Sequence, residues 1–166
     1  FGKIKRPVRN RLSYTLYNWI KGQTDSEHLF AHILHELPVH DQTLEPEHVI
    51  SAFEKTFETL KLLMQENGIA DAAYLNMVLT NGKFIVGTRY VTDPLLEPLT
   101  LYHSESSRYV CEDGVCRMLE PGERDQAVLV VSEKLTENEY DWKEVPRNHF
   151  VIVTPDLEVK TQAIQA

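Results

Sequence analysis

The stretch Thr24-Asp25-Ser26-Glu27 stands directly before an apolar helical pattern and holds the side chains best suited to chemistry. Thr24 and Glu27 are spaced as a capping box. In that arrangement the Thr24 hydroxyl accepts from the Glu27 backbone N–H, and the Glu27 carboxylate accepts from the Thr24 N–H. Asp25 is not needed by the box. It is either a first-turn acid, favourable at the positive end of the helix, or a free carboxylate able to bind an ammonium group; the local pattern leaves both open. His28, His32 and His35 follow at i, i+4 and i+7, within about 60° of one another on a helix. Such spacing suits a metal. The apolar stripe of Leu29, Ile33 and Leu37 lies on the opposite side, however, so the histidines are expected to face solvent, and no nearby carboxylate or cysteine completes a ligand shell. Cys111 and Cys116 flank Glu112-Asp113-Gly114-Val115. Asp-Gly is a two-residue hairpin signal that sets the cysteines opposite each other on paired strands. An oxidising compartment would join them; a cytosolic one would leave two reduced thiols, which is the expectation here. Ser132-Glu133 ends an apolar strand, a position open to a site role but read as a strand-to-loop turn.

The elements that must position these residues divide the chain into a helical first part and a stranded remainder. Residues 3–20 place Ile4, Val8, Leu12, Leu16, Trp19 and Ile20 at spacings of four and three, which predicts one amphipathic helix with Pro7 near its first turn and Gly22 ending it. A second helix is expected over 25–37, with Leu29, Phe30, Ile33, Leu34 and Leu37 inward, stopped by Pro38. A loop is expected at 38–46. A third helix over 47–67 turns Val49, Ile50, Phe53, Phe57, Leu60 and Met64 inward, and Gly68 caps it. The period then changes from helix to strand. Residues 74–91 read as a hairpin about Asn81-Gly82, with Leu75, Met77 and Leu79 on the face of Phe84, Val86 and Thr88. Tyr74, Asn76 and Val78 share the other face with Ile85, Gly87 and Arg89, so both faces carry apolar groups and the sheet is expected to be covered on both sides. Further strands are expected at 99–104, 108–112, 115–119, 127–133 and 149–154, with Trp142 as a packing anchor before the turn at 144–148. Helices followed by antiparallel strands give an α+β fold or a layered αββα sandwich.

Composition narrows the function classes. The 166 residues are 42% hydrophobic with a formal net charge of −8, which suits one globular domain and opposes a general nucleic-acid surface. No apolar run is long enough to span a membrane. Lys3, Lys5, Arg6, Arg9 and Arg11 form a local basic cluster, read as the solvated face of a short helix, with a phosphate or partner contact as the alternative. The first residue is Phe1 rather than Met, so processing or truncation upstream is expected.

Taken in order, FGKIKR (1–6), IKGQTDSEHLFAHIL (20–34), YLNMVLTNGKFIVGTRYV (74–91), LYHS (101–104), VLVVSEKLT (128–136) and WKEVPRNHFVIV (142–153) resemble the class II glutamine amidotransferase family. The pattern is nearest to the amidotransferase subunit of the DUG glutathione-degradation pathway and to related γ-glutamyl hydrolases. The resemblance implies an N-terminal-nucleophile hydrolase fold, a four-layer αββα sandwich, acting on glutamine or a γ-glutamyl compound without a cofactor. It implies that Asp25, held by Thr24 and the helix cap, binds the α-amino group of the substrate. In this family an N-terminal cysteine attacks the γ-carbonyl with its own α-amino group as base. An Asn-Gly pair forms the oxyanion hole, and an arginine binds the substrate carboxylate. Those residues are expected upstream of Phe1, so that 1–166 reads as the C-terminal portion of one amidotransferase domain whose N-terminal part is missing. Cys111 and Cys116 have no free α-amino group, and Asn81-Gly82 is a hairpin turn where the family usually has Asp-Gly; Lys134 stands where it usually has Pro. The implied partners are a small γ-glutamyl substrate, the missing N-terminal segment and a peptidase subunit, with no nucleic acid and no membrane, in the cytoplasm. The rival readings are a non-catalytic binding or scaffolding subunit of the same fold and an unrelated α+β ligand-binding domain using the histidine helix.

Overall fold

The computed structural model describes residues 1–38, 43–105, 108–119 and 126–166. It divides into two compact units, residues 1–71 with 165–166, and residues 72–164. The first is helical and the second is built of antiparallel strands, so the α+β class holds.

In the first unit the expected helix over 3–20 is two helices, α1 (Lys5–Asn10) and α2 (Tyr14–Trp19). The break has a local cause. Ser13 adopts a non-helical backbone and its Oγ accepts from the Leu16 N–H at 3.4 Å, which starts a new helix where a continuous one was expected. The apolar stripe is therefore interrupted. Ile4, Val8 and Ile20 are buried, whereas Trp19 is half-exposed and meets Phe30 edge-on. Helix α3 (Asp25–Glu36) and helix α4 (Pro46–Glu66) lie where the periodicity placed them. The loop expected at 38–46 falls partly outside the described residues.

Helix α4 supplies the densest core. Val49, Ile50, Phe53, Phe57, Leu60 and Met64 are all buried, with Ala52, Thr56 and Leu63 beside them. Pro46 occupies its first turn, where a missing N–H costs nothing. Its last turn closes with Ile69 N donating to Met64 O and Gly68 N to Gln65 O, with Gly68 at φ +62°.

In the second unit a four-stranded antiparallel sheet has the order β1 (Tyr74–Thr80), β2 (Ile85–Val91), β8 (His149–Val153), β9 (Val159–Ala163). In the β1–β2 pairing Leu75 lies opposite Tyr90, Met77 opposite Thr88 and Leu79 opposite Val86. The faces are those the alternation predicts, but the strands are joined by four residues, 81–84, so the register is two residues away from the one a two-residue Asn81-Gly82 turn would set. Asn81 begins the connection, its Oδ1 accepting from Lys83 N and Phe84 N. Strand β2 is buried from Val86 to Val91, so its two faces are both covered. A second sheet has the order β6 (Val130–Val131), β3 (Tyr102–His103), β7 (Lys143–Glu144). Leu101, Val145 and Val151 form a buried cluster with Val130 and Val159 packed against it. Arg89 joins the strands electrostatically: its guanidinium donates to Leu99 O at 2.9 Å and Val145 O at 2.7 Å and pairs with Glu144 at 2.8 Å. Trp142 is buried as expected, its Nε1 donating to Thr136 Oγ1.

Strands β4 (Arg108–Glu112) and β5 (Val115–Leu119) form a two-stranded hairpin of their own. Asp113 and Gly114 both take positive φ, 51° and 81°, the conformation a tight two-residue turn needs. Cys111 lies opposite Cys116. The expectation of two reduced thiols is corrected, since the cysteines are joined by a disulfide. The register that the Asp-Gly turn imposes sets the two cysteines directly opposite each other and brings their sulfurs together.

Candidate functional site

Ile20 to His28 form a loop and helix start held by charges on both sides. Ile20 leaves α2 in an extended conformation, and Thr24 caps α3, its Oγ1 accepting from Glu27 N at 3.3 Å. The reciprocal half of the capping box is not formed as expected. The Glu27 carboxylate turns further back and its Oε1 accepts from Lys21 N at 2.9 Å and Gly22 N at 3.0 Å. This corrects the role of Gly22. Helix α2 ends at Trp19 without it. A Cβ at position 22 would collide with the Glu27 carboxylate, so glycine leaves the space that carboxylate fills. On the other side, Lys5 Nζ reaches across from α1 to Gln23, donating to its backbone carbonyl at 3.1 Å and contacting its side-chain Oε1. Lys21 Nζ donates to Asn18 O at 2.8 Å.

This frame presents Asp25 in the first turn of α3. Asp25 is exposed. Its Oδ1 accepts from Ser26 N at 2.8 Å, which fixes the carboxylate. Among the described residues no cation pairs with Asp25. A charged carboxylate held by a pinned loop at a helix N-terminus can accept hydrogen bonds from an ammonium group at little reorganisation cost. Thr24 is exposed too, but its side chain is committed to the cap.

Lys5 and Glu27 as loop clamps were not legible as such. Lys5 lies 18 residues from its partner and was read only as part of a basic cluster. Glu27 was read correctly as a helix-start acid with the wrong amide partners.

The two backbone N–H donors, Gly22 first and Lys21 second, hold the Glu27 carboxyl below its ordinary value of 4.5. Its folded value is depressed, so the stability it contributes is present above pH 4.5 and is lost as pH falls through the folded value. Glu27→Gln should flatten that acid limb, as read from denaturation midpoints across the acid range. If the limb is unchanged in the variant, the clamp is not charge-assisted.

The histidines are not where the apolar stripe placed them. His28 and His32 are buried, and only His35 is exposed. The inward face of α3 is wider than the leucine and isoleucine stripe, with His28, Leu29, Ala31, His32 and Ile33 all buried. His28 is explained by the cap: its Nδ1 lies 2.8 Å from Thr24 O, whose carbonyl acts as acceptor, and its ring meets Phe1 edge-on. Nε2 of His28 and both ring nitrogens of His32 are buried without a hydrogen-bond partner among the described residues. Burial pushes His32 below its ordinary 6.5, with His35 and Arg11 acting in the same direction and Glu36 opposing them. Below pH 6.5 the unfolded chain takes this proton more readily than the folded one, so the His32 contribution to stability is complete above 6.5 and declines as pH falls below it. His32→Gln should remove that decline between pH 6.5 and the folded value; an identical pH profile in the variant would contradict it.

Ser132 and Glu133 are exposed beyond β6 and belong to a bend, as the turn reading expected. The other polar position of note, His103, is buried on β3 with its basicity lowered by burial, and Nδ1 lies 3.4 Å from Ser104 O.

The family model for glutamine amidotransferases class-II matches residues 2–164, and the chain belongs to that family. Within it, the chain is similar to the probable glutamine amidotransferase DUG3 of Saccharomyces cerevisiae, 28% identical over 165 residues. That match covers 92% of this chain and 46% of DUG3, so the chain spans about half the length of the curated relative it matches. Its fold is similar to that of a glutamine aminotransferase class-II domain protein from Silicibacter pomeroyi, with a TM-score of 0.73 over 100% of this chain and 63% of the other, at 22% identity. No helix among the described residues is long and apolar enough to cross a membrane.

Proposed function

We propose that this chain is the substrate-anchoring portion of an enzyme that cleaves or transfers the γ-glutamyl group of glutamine or of a γ-glutamyl compound such as glutathione. The observation that carries the reading is Asp25, an exposed carboxylate fixed by the Ser26 amide at the start of α3, with its loop pinned by Lys5 and Glu27. The Asp25 carboxylate accepts hydrogen bonds from the substrate α-ammonium and so sets where the γ-carbonyl lies. Thr24 holds the helix start beneath it. The chain's two cysteines are bonded to each other, and the proposal assigns the nucleophile to a cysteine outside these 166 residues, along with the oxyanion donors and the carboxylate-binding arginine. Attack by its sulfur on the γ-carbonyl releases the amine and leaves a γ-glutamyl thioester, which water or an acceptor amine then cleaves. The reading carries with it a complete four-layer αββα sandwich, a cytoplasmic setting and a peptidase subunit as partner.

The experiment is glutamate release from glutamine and from glutathione by the full-length protein. Release is expected, together with its loss when a cysteine directly after the initiator methionine is changed to alanine. The 166-residue chain alone should release none. Turnover by this chain alone, or a full-length protein without such a cysteine that still turns over, would contradict the assignment of roles.

A further inference from the structure

Of the basic cluster near the start of the chain, Lys5 clamps the Gln23 loop beside Asp25, whereas Arg6 and Arg9 have no part in the proposed reaction. Lys5, Arg6 and Arg9 on α1, with Gly2, Asn10 and Tyr17, line a cavity of about 410 Å³. That volume lies in the range of small-molecule sites, roughly 300–1,000 Å³. Three cations therefore surround one space, and among the described residues none of them forms an ion pair with a carboxylate; the ion pair in this segment belongs to Arg11, with Glu66.

The cavity is also built rather than merely charged. The Arg9 guanidinium lies over the Tyr17 ring at 4.2 Å and donates through Nη2 to Tyr17 O at 3.0 Å, which fixes its plane. Its Nε is buried without a hydrogen-bond partner among the described residues. Lys5 is held by Gln23, a neutral partner that leaves its charge uncompensated. Arg6 is exposed. Gly2 adds bare backbone to the lining, with nothing within 4 Å of where a Cβ would stand.

We propose that this cavity is a binding site for a small phosphate-bearing anion, separate from the Asp25 site. A planar guanidinium matches phosphate oxygens with two parallel donors. Three positive charges match a di- or trianion better than a single carboxylate. The overall charge of −8 repels an extended polyanion, so the occupant is a small molecule rather than a nucleic acid.

The test titrates the full-length protein with inorganic phosphate, pyrophosphate, acetate and a short DNA duplex, followed by backbone amide shifts. The structure assigns saturable binding of pyrophosphate, tighter than phosphate and much tighter than acetate, with shifts at Gly2, Arg6, Arg9 and Asn10. High salt should weaken it. Arg6→Gln, on an exposed side chain, should weaken binding by roughly tenfold, whereas Lys3→Gln, outside the cavity, should leave it unchanged. A circular-dichroism melt matching the wild type establishes that the Arg6 variant is folded. Absence of saturable pyrophosphate binding, equal binding by Arg6→Gln, or preference for the duplex over pyrophosphate would each overturn the proposal. Glutamate release by the full-length protein does not enter any of these outcomes, so the two readings fail separately.

Discussion

Asp25→Asn in the full-length protein should lower kcat/KM for glutamine by roughly tenfold to 150-fold. The figure follows from replacing a charge-assisted hydrogen bond to an ammonium, which contributes about 1.5–3 kcal/mol, where about 1.4 kcal/mol is a factor of ten. The substitution is well matched to the structure. Asparagine keeps the oxygen that accepts from Ser26 N and removes only the charge. Thr24 and Glu27 still hold the helix start and the loop, so thermal stability should hardly change. Thr24→Ala should show the opposite balance, losing about 1 kcal/mol of stability as the Glu27 N–H loses its cap, with a smaller effect on turnover. Steady-state kinetics and melting curves on the two variants separate a substrate contact from a structural one.

Phe53→Ala should destabilise the chain by about 3–5 kcal/mol. Phe53 is wholly buried in the middle of α4 and packs on Phe57, with ring centroids 5.7 Å apart. Truncation removes the transfer free energy of the ring and leaves a cavity that a core with Val49, Ala52 and Phe57 on the same helix closes only in part. That loss is of the order of a small domain's whole stability, 5–15 kcal/mol. Denaturant titration should show a midpoint far below that of the wild type. A shift equivalent to less than about 1 kcal/mol would mean that α4 does not form the core of its unit.

The parts legible in the sequence were those governed by local periodicity and turn chemistry. The inward stripe of α4 was readable because every third or fourth residue from Val49 to Met64 is apolar, and the β1–β2 hairpin and its two faces because alternating strands flank Asn81-Gly82, although the four-residue connection shifts the register by two. The Asp113-Gly114 turn likewise gave the pairing of Cys111 with Cys116; the disulfide itself was not foreseen, because sequence carries no redox state. What failed depended on distant partners. The expectation that His28 and His32 face solvent took the stripe of Leu29, Ile33 and Leu37 for the whole inward face, whereas the Thr24 carbonyl anchors one histidine and the width of the α3 packing face encloses both. The break between α1 and α2 turned on Ser13 as a cap inside an otherwise periodic stretch. Strands β7 and β9 were not anticipated, being short or mostly exposed, with little apolar alternation to mark them. For the candidate site, the position of Asp25 at a helix start was readable from Thr24-x-x-Glu27, but its support was not. Lys5 and Gly22 act through contacts that only the folded loop creates.

The central claim is that Asp25 binds the substrate α-amino group. It is tested most directly by comparing a γ-glutamyl substrate with its analogue lacking that amino group, on the full-length wild type and on Asp25→Asn. Removing either partner of one interaction should abolish the effect of removing the other. The wild type and the variant should therefore process the deaminated analogue at nearly equal, low rates, although they differ by tenfold or more on the complete substrate. If Asp25→Asn keeps its full defect on the analogue, Asp25 acts through the structure of the helix start and does not bind the substrate amine.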